Sequence, residues 1–275
     1  MSYTLVLNSS NVSTNNRNTY IYNFISNNFT VKDHAELCIS NISMPYSLFN
    51  VSTLYNNKSF QFTWTVGVTT TYTITLPDGF YLISDIQNYI ELYCQNNGFY
   101  LINSAGKYID YFKLYLNTTY YAVQLLTYIV PTSLPAGYTA PSGFAGYPTT
   151  STAPSFIVLN NNFTNLIGFF AGTYGGGITN SSINSTFTPT GSNVNSIIVR
   201  CSLVSNNVGF PSDVVDSFSI NSTFGSNITY EPSFEKWVKI KPGTYNNLTI
   251  TFVDQSFNNI AILDPSVCVT LMIKQ

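Results

Sequence analysis

The stretch NLTITFVDQSFNNIAILDPSVCVTLMIK, residues 247–274, decides the fold class. Two segments within it, Asn247–Val253 and Val267–Ile273, alternate apolar and polar residues with the period of two that is typical of a half-buried β-strand. Asp264 and Pro265 are turn-forming residues just before the second segment. The stretch therefore predicts two strands of a sheet, and it contains no set of residues that points to catalysis.

The same alternation recurs along the rest of the chain and predicts further strands. These are Thr4–Asn8, Thr19–Phe24, Phe29–Lys32, Ala35–Ser43, Ser59–Val66, Thr71–Leu76, Phe99–Ile102, Tyr108–Leu116, Tyr120–Val130, Phe156–Leu159, Asn195–Ser205, Asp213–Ile220 and Trp237–Ile240. Because strands and helices do not alternate, we expect an all-β protein, an antiparallel sandwich or barrel.

One helix is expected, over residues 84–97. Ile86, Ile90 and either Tyr93 or Cys94 fall on one apolar stripe, and Ser84 followed three residues later by Gln87 has the spacing of a capping box. Such a stripe is typical of packing against a sheet.

The region from Pro131 to Gly191 is rich in Pro, Gly, Ser and Thr and predicts long surface loops. A strand and a short helical turn near Phe163–Phe169 interrupt it. The sequence YGGG at Tyr174–Gly177 lacks the Lys-Ser/Thr pair of a phosphate-binding loop, so it predicts a flexible bend instead.

The composition is poor in charge, which follows either from an AT-rich genome, whose codons favour Asn, Tyr, Ile and Phe, or from a surface that mostly faces other protein. A weakly charged surface favours association with other proteins. Charged residues make up only 8% of the chain, whereas about a quarter is ordinary in globular proteins. The net charge is −2 and the 10 Lys and Arg are scattered, which argues against a specific nucleic-acid partner. The first 16 residues lack the features of a secretory signal, and no apolar run approaches the length of a membrane span.

The residue types that usually carry chemistry are sparse. The single histidine, His34, cannot build a two-histidine metal site, so a structural or exposed role is expected. Four cysteines lie far apart in apolar stretches, which predicts buried, reduced thiols over disulfides or a metal site. They are Cys38, Cys94, Cys201 and Cys268.

The aspartates give no catalytic pattern. They are spread over the chain at positions such as Asp78, Asp85, Asp110, Asp213, Asp216, Asp254 and Asp264. A glycosidase needs two carboxylates facing each other across a cleft, and the sequence singles out no pair. The nucleophile motif G-x-S-x-G is also missing. We therefore predict no catalytic, cofactor-binding or metal-binding residues and no cofactor, with a β-sandwich glycoside hydrolase or lyase as the weakest alternative.

Four stretches together resemble a known family. They are ISNISMPYSLFNVS (39–52), ITLPDGFYLISDIQNYIELY (74–93), NSIIVRCSLVSN (195–206) and WVKIKPGTYNNLTITFVDQSFNNIAILDPSVCVTLMIK (237–274). They are similar to penton, or vertex, capsid proteins of virophages and polinton-like viruses. The resemblance covers most of the chain and is strongest at its C-terminal end.

The resemblance implies a single jelly roll, two four-stranded antiparallel sheets, with an inserted region. It also implies a homopentamer at the fivefold vertices of an icosahedral virion, assembled inside the host cell and surrounded by a major capsid protein of double jelly-roll fold. The family carries no catalytic residues. The alternative is a spike- or fibre-like β-sandwich that binds host glycans or a receptor through Tyr, Trp and Asn side chains.

A division of the chain follows from the strand pattern. We expect an N-terminal arm with the first strands in residues 1–34, a jelly-roll core in 35–76 plus 192–275, and an insertion or elaborated loops in 77–191. Met1–Asn28 is polar and Asn-rich, so it is expected to contribute little core and to be ordered by neighbouring subunits. Trp237 is expected to anchor a core at a sheet edge or subunit seam, covered by lysine stems.

Overall fold

The fold comes from a computed structural model that describes residues 2–13, 17–25 and 28–275. Its strands in chain order are β1 (Ser2–Leu7), β2 (Thr19–Asn23), β3 (Phe29–Val31), β4 (Glu36–Pro45), β5 (Ser59–Val66), β6 (Val68–Thr75), β7 (Tyr100–Ile102), β8 (Tyr108–Asp110), β9 (Phe112–Asn117), β10 (Ala122–Thr127), β11 (Ser155–Val158), β12 (Gly172–Gly175), β13 (Ser181–Asn184), β14 (Ser196–Cys201), β15 (Val214–Ser219), β16 (Asn227–Tyr230), β17 (Val238–Lys239), β18 (Gly243–Tyr245), β19 (Asn247–Asp254) and β20 (Cys268–Lys274). The α-helices are α1 (Ile83–Asn96) and α2 (Phe163–Ile167). Among the residues described, neither helix has the length and apolar character to cross a membrane.

The chain forms two compact units. The first, called here the jelly-roll unit, contains Met1–Leu48 and Val194–Gln275. The second, called the insertion unit, is the continuous segment Phe49–Asn193. The expected β-rich, antiparallel fold is confirmed, since every strand pair described is antiparallel.

The strand order of the first unit identifies it as a jelly roll. Its eight principal strands, in chain order, are β1, β2, β4, β14, β15, β16, β19 and β20. One sheet has the order β1-β20-β4-β16, which are the first, eighth, third and sixth of these eight strands. The other sheet has the order β15-β14-β19-β2, which are the fifth, fourth, seventh and second. This is the order produced by the two Greek keys of a single jelly roll. The insertion unit therefore lies, in the chain, between the third and fourth jelly-roll strands.

Alternation of side chains gives each jelly-roll sheet one buried face. In β20 the buried residues are Val269, Leu271 and Ile273, with partly exposed residues between them. In β19, Leu248 and Ile250 follow the same pattern. Since successive side chains of a strand point to opposite faces, this sequence pattern is sufficient to place the apolar faces in a core.

The prediction that Met1–Asn28 contributes little core is wrong for the residues of that segment that are described. Strand β1 pairs with β20, and β2 pairs with β19, so they are the first two strands of the jelly roll. Leu7 and Tyr20 are completely buried. An outer strand needs only a few inward side chains and the pairing of its backbone, so a polar, Asn-rich composition does not exclude it. Residues 1, 14–16 and 26–27 of the predicted arm lie outside the described residues.

The insertion unit has its own sheets and its own core. Its sheets have the orders β12-β11-β5-β6 and β13-β10-β9, and β7 and β8 form a separate pair. The core is rich in aromatic rings, and Phe62 is fully buried with its ring 4.9 Å from that of Phe112 and 5.2 Å from that of Phe99. The segment is therefore a folded β unit rather than a set of elaborated loops.

The boundaries of the insertion differ from the expected division. Strands β5 and β6 were assigned to the jelly-roll core in residues 35–76, but β5 pairs with β6 and β11 inside the insertion unit. The alternation correctly predicted β5 as Ser59–Val66. Alternation identifies a strand without identifying its partner, and the partner β11 lies almost a hundred residues later.

Helix α1 packs as expected but is capped differently. The buried stripe is Ile86, Ile90 and Cys94. The cap is not Ser84 with Gln87, because Asp85 accepts a hydrogen bond of 2.8 Å from the backbone N–H of Leu82. Gln87 instead accepts one from the backbone N–H at position 114 on β9. Because the Gln87 side chain is bonded to β9, it is not available to cap helix α1.

A glycine ends this helix for a steric reason. Gly98 has a φ of +73°, and a Cβ there would lie 2.2 Å from the carbonyl oxygen of Gly143. The close approach allows Ala145 to donate its backbone N–H to the carbonyl of Gly98 at 3.0 Å. The loop that follows β10 is therefore fixed to the end of α1.

Candidate interaction surfaces

The histidine and the cysteines considered in the sequence occupy separate places in the structure. His34 is exposed in a turn with a φ of +67°. The four cysteines are free, and three of them are buried. Within the part of the chain that is described, no three His, Cys, Asp or Glu residues come together as a metal site would require.

Burial lowers the reactivity of two of these thiols at neutral pH. Desolvation raises the pKa of Cys38 and of Cys201 to about 11. Because the thiolate is the reactive form of cysteine, side chains with such pKa values react slowly with oxidants.

The glycine run at Tyr174–Gly177 forms the bend that the sequence predicted. Strand β12 ends at Gly175, and Gly175 and Gly176 have φ angles of +76° and +79°. A Cβ at Gly176 would lie 2.0 Å from the hydroxyl oxygen of Ser155. The glycines thus allow the chain to turn against β11.

Most aspartates have local structural partners. Asp254 accepts hydrogen bonds from the backbone N–H groups of Ser256 and Asn258, each 2.8 Å long. Asp264 does the same for Ser266 at 2.9 Å. Asp78 forms an ion pair of 2.6 Å with Lys58. The hydrogen bonds of Asp254 and Asp264 order turns, and Asp78 is held by its ion pair.

Asp216 holds strand β15 to β16, which belongs to the other jelly-roll sheet. Its buried carboxylate accepts hydrogen bonds of 2.5 Å from the Tyr230 hydroxyl and 2.7 Å from the Lys236 ammonium. The ring of Tyr230 stacks on Phe218 with centroids 4.8 Å apart. Desolvation, and then the bond to Asp216, raises the pKa of Tyr230, while the bond to Asp216 raises that of Lys236. The cluster connects the two sheets at the edge formed by β15.

Beside this edge, the β14–β15 loop, residues 202–213, presents apolar side chains to solvent. Val208 is 98% exposed and Phe210 is 97% exposed. The base of the loop is closed by a hydrogen bond of 2.6 Å from the N–H of Asn206 to the carbonyl of Ser212. Fully exposed aliphatic and aromatic side chains on a closed loop are typical of a protein-binding contact.

Trp237 lies at a sheet edge, as predicted, but it is partly exposed and so is not the core anchor that was expected. It immediately precedes β17, which pairs with the margin of β4. The ammonium of Lys274 lies 4.1 Å from the centroid of its ring, and Lys274 also pairs with Glu36 at 2.8 Å. The expectation that a lysine covers the ring is correct. The burial differs because the short strand β17 leaves the indole at the margin of the sheet.

A groove rich in tyrosine lies within the insertion unit. Its volume is about 470 Å³, within the range of small-ligand pockets. It is lined by Tyr108, Asp110, Tyr111, Lys113, Tyr128, Pro131, Pro135, Tyr138 and Asn180, together with two isoleucines. The predicted strand 108–116 is interrupted at Tyr111, so that β8 and β9 join different sheets and Asp110 and Lys113 meet at the groove. The sequence pattern gave no signal for this break.

The comparisons with known proteins find similarity only among solved structures. No family model and no curated protein matches the chain. Among solved structures, the crystal structure of the selenomethionine-labelled mavirus penton protein is similar over 100% of this chain and 98% of its own, with a TM-score of 0.45 and 11% sequence identity.

Proposed function

We propose that this chain is a structural capsid protein of the penton type. Five copies form a closed ring at each fivefold vertex of an icosahedral virion, where they contact a major capsid protein of double jelly-roll fold. The protein is assembled into the virion inside the host cell, and it has no catalytic role.

The observation that carries the proposal is the jelly-roll strand order, found in the unit that contains most of the penton-like sequence. The stretches 195–206 and 237–274 lie entirely in that unit, and most of 39–52 does. Jelly rolls occur in viral capsids and also in lectins, so the fold alone does not decide the function. The resemblance of these stretches to pentons favours the capsid.

The surface of the jelly-roll unit offers a contact for such a ring. A cyclic ring needs heterologous contacts, in which one patch of a subunit meets a different patch of the next. The β14–β15 loop, with Val208 and Phe210, supplies one exposed apolar patch. A chain with only 8% charged residues has little repulsion to oppose this association.

Two measurements test the proposal. The molar mass of the purified protein is measured at increasing concentration, and class averages of negatively stained particles show the symmetry of any ring. We expect fivefold rings at high concentration and a monomer at low concentration, because each contact in a ring can be weak. A trimeric mass at high concentration would contradict the proposal, as would copies found only at threefold positions of the particle.

A double variant sharpens this test. Val208→Ser with Phe210→Ser is expected to abolish the rings and leave the thermal midpoint unchanged, because neither side chain is buried in the monomer. The matched control is Val68→Ser with Ile178→Ser in the insertion unit, where the side chains are 75% and 72% exposed. Rings that persist in the first variant would exclude this loop as the contact.

One observation favours a second function, the binding of a glycan. The tyrosine groove of the insertion unit combines aromatic faces with polar side chains, as sugar-binding sites do. A capsid protein can carry such a site, so the two functions do not exclude each other.

A further inference from the structure

The most unusual side chain in the tyrosine groove is Asp110. Its side chain is only 9% exposed, and its Oδ1 atom is buried without a hydrogen-bond partner among the described residues. The other carboxylate oxygen lies 3.7 Å from the ammonium of Lys113, which is beyond good hydrogen-bonding distance. A buried carboxylate with an unsatisfied oxygen lowers the stability of the fold, so its presence calls for an explanation.

The aromatic wall beside Asp110 is held in place. Tyr108 is 51% exposed, and its ring packs edge-on against Tyr100 with centroids 4.9 Å apart. Tyr111 is buried, and its carbonyl accepts a hydrogen bond of 2.8 Å from the N–H of Tyr128. An aromatic ring that is fixed and partly exposed is suited to stacking against the apolar face of a ligand.

The polar groups at the groove include both donors and acceptors. Lys113 supplies an ammonium and Asp110 a carboxylate. The side-chain oxygen of Asn180 accepts the N–H of Ile129 at 2.9 Å, which orients its amide group at the groove. A cation would need acceptors alone and would be repelled by Lys113. Hydroxyl groups, which both donate and accept, match this combination better.

We propose that this groove is a binding site for a neutral saccharide, which stacks on Tyr108 and donates a hydroxyl to Asp110. The terminal torsion of an aspartate is broad, so a partial rotation of the Asp110 carboxylate can bring one of its oxygens toward a hydroxyl in the groove. Lys113 and the amide of Asn180 donate to the oxygens of the sugar. The inference rests on the second proposed function, glycan binding, and names its ligand class and contacts. It does not depend on the capsid role, because the groove lies entirely within the insertion unit.

The direct test is an array of neutral glycans probed with the intact protein, followed by saturation-transfer NMR on the glycans that bind. Choline is the cationic probe and 3′-sialyllactose the anionic probe. We expect binding to at least one neutral saccharide and at least tenfold weaker binding by the Tyr108→Ala variant. The matched control is Tyr120→Ala, whose exposed ring lies in the same unit but not in the groove.

Three results would overturn the proposal. They are the lack of binding to every neutral glycan on the array, a preference for choline or for the sialylated sugar, and equal binding by the two tyrosine variants. None of them bears on ring formation, which is measured by mass. Failure of the saccharide site is therefore distinguishable from failure of the capsid role.

Asp110→Asn separates a binding role from a structural one. The amide preserves the shape and removes the unsatisfied buried charge. If Asp110 serves the ligand, the variant binds the saccharide at least tenfold more weakly and has an equal or higher thermal midpoint. A lower thermal midpoint with unchanged binding would show that Asp110 stabilises the fold and would contradict its assigned role.

Discussion

The two units of this protein build their cores from different side chains. The jelly-roll unit buries mainly aliphatic residues on long paired strands, such as Leu37, Ile42, Ile250 and Leu271. In the insertion unit, nine buried aromatic side chains belong to the core among the described residues. Three of the nine rings, Phe60, Phe62 and Trp64, lie on the inward face of β5. A large aromatic side chain buries about 150–250 Å² of surface, so a few rings fill the core of the insertion unit.

The largest expected effect tests whether the two cores are independent. Phe62→Ala removes a fully buried ring from the insertion unit and is expected to destabilise that unit by about 3–5 kcal/mol. Phe252→Ala makes the matched change in the jelly-roll unit, where the ring packs against Tyr20 with centroids 5.8 Å apart. Hydrogen exchange measured by mass spectrometry should show lost protection only in the altered unit. Equal loss in both units for either variant would show a single cooperative structure.

A smaller effect is expected at the Asp216 cluster of the jelly-roll unit. Asp216→Ala leaves the Tyr230 hydroxyl and the Lys236 ammonium without their acceptor, so we expect a loss of about 2 kcal/mol. Asp213→Ala is the control, because its ion pair with Arg200 is partly exposed and contributes about 0–1 kcal/mol. Urea denaturation measures both. Equal losses would mean that the cluster does not join the sheets.

The pH dependence of this loss has a defined sign. Folding raises the pKa values of Tyr230 and Lys236 above 10.0 and 10.5. The stabilisation is therefore complete at neutral pH and is lost as the pH rises through the folded pKa values, because the unfolded chain releases its protons first. The difference between wild type and Asp216→Ala should shrink in alkaline solution. A difference that grows there would contradict the assignment.

The smallest effect concerns Asp110 in the insertion unit and is opposite in direction. Desolvation first, and then the charge of Glu91, raises the pKa of Asp110, while Lys113 opposes the shift. Cys94, which lies on helix α1 together with Glu91, also faces the carboxyl group of Asp110. Above the unfolded pKa, near 3.8, the raised pKa of Asp110 lowers the free energy of unfolding, because the folded protein must either keep the proton or bury the charge. Asp110→Asn should therefore stabilise by about 1 kcal/mol at neutral pH and have little effect below pH 3.8. Thermal melts at both pH values measure this, and an unchanged gain at low pH would exclude the electrostatic cause.

The same contrast explains what the sequence could predict. Alternation located β5, β19 and β20 to within a residue or two, because each has a single buried face. It missed β16, which lies in a stretch that reads as a turn, because Asn227–Tyr230 is short and its only fully buried side chain is Ile228. It also missed β12, β13 and β18, which are no longer than four residues. These short strands are formed by pairing with a neighbouring strand, and their own sequences are too short to show an alternating pattern.

The tyrosine groove could not be predicted for a related reason. Asp110 was one of several scattered aspartates, and nothing in its sequence neighbours distinguishes it from Asp213. Its significance comes from burial and from the break at Tyr111, which brings β8, β9 and a distant loop together. Local patterns carry no information on such a meeting of remote segments.

The pairing of β1 with β20 has a consequence for the order of events during synthesis. Ser2 faces Lys274 across this pair, so the first sheet lacks a central strand until almost the whole described chain has left the ribosome. The insertion unit is continuous in sequence, and its pairs form from residues 49–193 alone. Contacts between remote residues form slowly, and domains fold as units during translation. The insertion unit is therefore expected to fold first. Strands β1 and β2 remain unpaired until β20 and β19 have been synthesised.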